Sequence, residues 1–94
     1  QISNSIPDKF SLSQNYPNPF NPVTKLEIGI SDLGFVSLKV YDVDGREVAT
    51  LVNEQLRPGT YEVNFNGSNF TSGVYFYRLV TGDFIETNKM ILTK

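Results

Sequence analysis

Asp42 and Asp44, one residue apart and followed at once by Gly45, are the side chains whose spacing comes nearest to chemistry in this 94-residue sequence. Carboxylates at alternate positions of a tight turn can converge on a hard cation such as calcium. The pattern stops short of a site: no third ligand follows at the required spacing, and the distal glutamate of an EF-hand is missing. Ten acidic residues would allow a carboxylate pair for glycoside hydrolysis, yet none sits in an apolar setting that would raise one pKa. Histidine and cysteine are absent, which removes the commonest general base, the thiolate metal ligand and any disulfide. No Gly-rich phosphate loop or nucleophile motif is present. Asn66-Gly67-Ser68 and Asn69-Phe70-Thr71 fit the N-glycosylation pattern, which a polar, turn-rich loop also produces by chance. The sequence is therefore expected to hold no catalytic residue, metal or cofactor, and is not read as an enzyme.

Binding functions are narrowed in the same way. A net charge of −2, with eight Lys and Arg scattered along the chain, argues against nucleic acid as a partner. No apolar run approaches the roughly 20 residues needed to span a bilayer, so no membrane insertion of its own is expected. A carbohydrate-binding module would need an exposed aromatic platform; Phe35, Tyr41 and Phe76 are the candidates, and the absence of tryptophan counts against it. Tyr16 and Phe20 are expected to plug one end of a core rather than to stack on a ligand. A structural spacer within a secreted multidomain enzyme is the other alternative. The sequence starts at Gln1 without a charged-then-apolar signal segment, and is taken as a piece of a longer protein.

The elements that would position any surface are legible from alternation. Val36, Leu38 and Val40 alternate with Phe35, Ser37, Lys39 and Tyr41, giving a strand with one aliphatic face. Asp42 to Gly45 then reverses the chain, with Gly45 able to take the positive φ of a short hairpin loop. Val48 and Leu51 follow three residues apart, which breaks alternation and predicts a bulge or an early strand end. Val52 to Pro58 is polar and reads as a connection. Leu26, Ile28 and Ile30 mark an earlier half-buried strand, and Tyr61, Val63 and Phe65 a later one. Val74 to Val80 is apolar on both faces, with Tyr75, Tyr77 and Leu79 on one, so it is central or shows one face to a partner. Phe84 to Lys94 closes the chain. Three prolines between Pro17 and Pro22 exclude a central strand there and place that segment across a sheet edge. Residues 1–6 read as the end of a linker and 7–94 as one domain. No segment has a helical period, and about seven strands predict an all-β, antiparallel immunoglobulin-like β-sandwich.

Five stretches in order, Asn15-Tyr16-Pro17-Asn18-Pro19-Phe20-Asn21-Pro22, Val40-Tyr41-Asp42 with Gly45-Arg46, Pro58-Gly59-Thr60-Tyr61, Ser72-Gly73-Val74-Tyr75-Phe76-Tyr77-Arg78-Leu79 and Lys89-Met90-Ile91-Leu92-Thr93-Lys94, resemble the type A C-terminal sorting domain of the type IX secretion system. The resemblance covers nearly everything from Phe10 onward. It implies a small β-sandwich that directs an upstream cargo domain through the periplasm and across the outer membrane to the cell surface or medium. The partners implied are translocon components of the outer membrane and a sortase, with the domain itself a monomer. By position, the recognition residues implied are Gly73 and Tyr75 of a Gly-x-Tyr element and Lys89, Met90, Ile91, Leu92 and Lys94 of the terminal strand. That strand is also expected to offer an unpaired backbone edge to a receptor, with its lysines discouraging self-pairing.

Overall fold

A computed structural model describes residues 6–94, so the linker expected over 1–6 falls, Ile6 apart, outside the described residues. Seven strands and no helix are present among them: β1 (Ser11–Leu12), β2 (Val23–Ile30), β3 (Gly34–Tyr41), β4 (Glu47–Leu56), β5 (Gly59–Asn66), β6 (Gly73–Thr81) and β7 (Phe84–Leu92). They form two antiparallel sheets, β1-β2-β5 and β4-β3-β6-β7, packed as a sandwich. The all-β expectation holds. In the constant-type immunoglobulin order the fourth strand lies in the first sheet, whereas here β4 stays beside β3.

The core follows from the alternation. Leu26, Ile28 and Ile30 of β2 face Val36, Leu38 and Val40 of β3 and Tyr75, Tyr77 and Leu79 of β6 across the layer, all buried. Met90 and Leu92 of β7 complete it. Tyr61 and Val63, expected to be as deep, are only half-buried, because β5 is the outer strand of its sheet. Phe65 continues into an aromatic series that closes one end: Phe20 meets it edge-on at 5.9 Å, Phe70 stacks on it at 5.6 Å, and Tyr75 lies 6.1 Å beyond. Gly67 lies against that plug, where a β-carbon would come within 3.1 Å of Leu92 and 3.3 Å of Phe20. Tyr16 departs from expectation: it is 75% exposed, and Phe20 alone enters the core.

The central hairpin carries two irregularities. Leu38 pairs with Val52 but Lys39 with Thr50, and Val40 pairs with Ala49 but Tyr41 with Glu47. Leu51 and Val48 are thus the extra residues of two bulges, which accounts for their broken spacing. The strand does not end early. It runs to Leu56, opposite Gly34, through the polar stretch read from sequence as a connection. Polar residues are tolerated on both faces there because β4 is an edge strand.

Candidate recognition surface

The functional expectations converge on β7, and its geometry follows from pairing with β6. The two strands are joined by Gly82-Asp83, with Gly82 at φ 58°, a tight two-residue hairpin. They stay in register from Thr81 opposite Phe84 to Gly73 opposite Leu92. Parity then sorts the strand: Met90 and Leu92 point into the core at 0% exposure, while Lys89 is exposed and Ile91 half-buried on the outer side. Of the residues implied as recognition elements, Tyr75, Met90 and Leu92 are core groups in the folded chain. Tyr75 donates its hydroxyl to the Thr71 carbonyl at 2.7 Å and so ties down the loop before β6. Gly73 is exposed at φ 153°, a backbone region that side-chain-bearing residues rarely adopt.

The unpaired backbone edge expected on β7 is half occupied. The proline-rich segment between β1 and β2 crosses from the first sheet to the second and lies along it. It begins by bridging to β2, with mutual backbone bonds between Tyr16 and Lys25, and ends with Phe20 bridged to Leu92. The Phe20 amide donates to the Ile91 carbonyl and the Thr93 amide to the Phe20 carbonyl, both at 2.9 Å. Asn18 Oδ1 accepts from the Ile91 amide at 3.0 Å, and Gln14 Nε2 donates to the Lys89 carbonyl at 2.7 Å. Buried Asn15 holds the segment in shape by donating to the Pro17 carbonyl and to Thr24 Oγ1. At the far end Lys94 donates from Nζ to the Ser68 carbonyl at 2.7 Å and from its amide to Ser72 Oγ at 3.1 Å. Proline spacing marks this segment as edge-crossing; nothing local in the sequence says that the edge is that of β7.

The acidic turn is a structural device. Asp42 Oδ1 accepts from the Asp44 and Arg46 amides at 2.9 and 3.0 Å, and Oδ2 meets Arg46 Nε at 3.2 Å. The Arg46 amide above all, with the Asp44 amide and the guanidinium, holds the carboxyl below its ordinary pKa. Those bonds occupy the oxygens a cation would need. Among the described residues no three His, Cys, Asp or Glu side chains gather where they could hold a metal. Gly45 sits at φ 84°, as the turn requires. The Thr50 hydroxyl and Lys39 lower the Glu47 pKa in the same hairpin.

A family model described as "Secretion system C-terminal sorting domain" matches residues 14–93. The chain belongs to that family. No curated protein matches it. The matched span begins at Gln14 and ends at Thr93, the residues whose bonds clasp the two ends of the proline-rich segment on β7. As a type IX sorting domain, it implies interaction with that secretion machinery, attachment to a cargo, and export across the outer membrane to the surface or medium. The family is a sorting signal and is not known for catalysis.

Proposed function

We propose that residues 7–94 are a non-catalytic address, read in the folded state, that sends an attached cargo from the periplasm through the type IX translocon. Family membership over residues 14–93 carries this reading. The geometry of β7 supports recognition of a folded surface: with Met90 and Leu92 in the core, Lys89, Ile91, Thr93 and Lys94 are the residues of the terminal stretch within reach of a partner. Gly73 then serves by starting β6 opposite Leu92, and Tyr75 by fixing the loop before it.

The test is a reporter cargo fused ahead of this chain in a bacterium with a type IX system. Deleting Lys89 to Lys94 would remove two core residues and unfold the domain, so it does not isolate recognition. Replacing Lys89 and Lys94 with Glu, or Ile91 with Ser, leaves the core intact. The lysine variant is expected to strand the reporter in the periplasm without lowering the melting temperature, and the Ile91 variant to strand it while still folding, with only the small loss that a half-buried side chain entails. Export of these folded variants at the wild-type level would place the signal elsewhere in the domain.

A further inference from the structure

The two outer faces of the sandwich are unlike. On the three-stranded sheet the outward residues are largely polar, with Lys25 paired to Glu62 at 3.5 Å and exposed Tyr16 and Val23 confined to one end. On the four-stranded sheet the register sets Val80 beside Ile85 and Tyr41 beside Phe76, with Arg78 in the row between, opposite Lys39 and Thr87. Phe35 and Ile85 are 58% and 65% exposed there, large values for side chains of their size on paired strands.

We propose that this outer face of β3, β6 and β7 is the docking surface for an acidic, apolar-centred protein surface of the secretion machinery, a reading that rests on the sorting function above. The charge pattern identifies the partner. No outward position of these three strands holds a carboxylate, and Glu47 beside them on β4 is engaged by Lys39 at 3.3 Å. Arg78 has no carboxylate within 4.0 Å among the described residues; its guanidinium lies 5.1 Å over the Tyr41 ring and its Nε donates to Thr87 Oγ1 at 3.1 Å. With Lys89 this leaves two uncompensated cations on one face of a chain whose net charge is −2. Aromatic and aliphatic groups around an arginine are the composition of energetic centres in protein interfaces. A second copy using the same face would set those cations against each other. A sugar platform is disfavoured because Arg78 covers one face of the Tyr41 ring.

The experiment uses the same reporter fusion with three variants: Phe35→Ser combined with Ile85→Ser, Arg78→Glu, and Glu27→Lys on the opposite sheet as a control. All four residues are exposed, so unchanged melting temperatures are expected. Surface display should fall about tenfold or more in the first two and stay at the wild-type level in the control, with Arg78→Lys retaining most of it. Wild-type display of both folded face variants would overturn the proposal while leaving the sorting function standing. Failure of the unaltered fusion to leave the cell would instead sink the sorting function and this surface with it. A wild-type dimer in sedimentation that Ile85→Ser disperses would assign the face to self-association and overturn the proposal as well.

Discussion

Tyr77 is fully buried, yet its hydroxyl is not idle: it donates to the Ser13 carbonyl at 2.8 Å, where Asn88 Nδ2 also donates at 3.1 Å. Burial is the main cause that raises the phenol's pKa. A raised folded-state value means that the native chain keeps the proton after the unfolded chain has lost it. Its contribution is complete below the ordinary tyrosine pKa near 10 and is lost as pH climbs through the folded value. Denaturant melts should therefore show stability falling above about pH 10, with a smaller fall in Tyr77→Phe. At neutral pH that variant should lose about 1 kcal/mol, since Asn88 remains to serve the Ser13 carbonyl. Alternation alone places Tyr77 in the core, but its polar tie reaches a residue 64 positions away and leaves no local trace. Glycine behaves differently. Gly45 is legible from its turn, and Gly45→Val should cost about 1–3 kcal/mol by forcing a β-branched residue to φ 84°. Gly73→Ala meets no atom within 4 Å, so any loss in its melting temperature measures backbone strain alone.

The proline-rich segment is the element whose role depends most on tertiary structure. Its three prolines explain why it is not a sheet strand, but its partner on β7 becomes apparent only when residues 14–20 and 89–93 are brought together by the fold. Phe20→Ala should cost about 3–5 kcal/mol because it empties a site of 1% exposure at the base of the aromatic plug. Asn18→Ala should leave stability nearly unchanged but release the Ile91 amide, which hydrogen exchange would report as faster exchange at that one position. Unchanged exchange would mean that the asparagine contact does not persist in solution. The polar end of β4 is a similar case: on an edge strand the backbone ladder with β3 determines the strand, and side-chain alternation is too weak to reveal it.

At the level of the molecule, the two-layer fold was legible because the buried faces of β2, β3 and β6 alternate cleanly, and Leu38→Ala should cost about 2–5 kcal/mol by chemical denaturation. The outer face of the four-stranded sheet is half legible: alternation puts Phe35, Tyr41, Phe76 and Arg78 outward on their strands, but only the register sets Arg78 beside Lys39 and Thr87, and Ile85 beside Val80. The residues that the resemblance implies for recognition are the least legible, since a motif marks positions without telling core from surface, as Met90 beside Lys89 illustrates. The clasp between residues 14–20 and 89–94 has one more consequence, in the order of synthesis. β7, which carries Met90, Leu92 and the Ile91 carbonyl that Phe20 bonds, is synthesised after the other six strands. A ribosome that stops short of Leu92 thus releases a sandwich with an open end and an unclasped edge. Such a product should be cleared by proteases before export, so that only cargo whose synthesis has passed β7 carries a legible address; protease-deficient cells making staged truncations would reveal whether shortened chains are spared yet still retained.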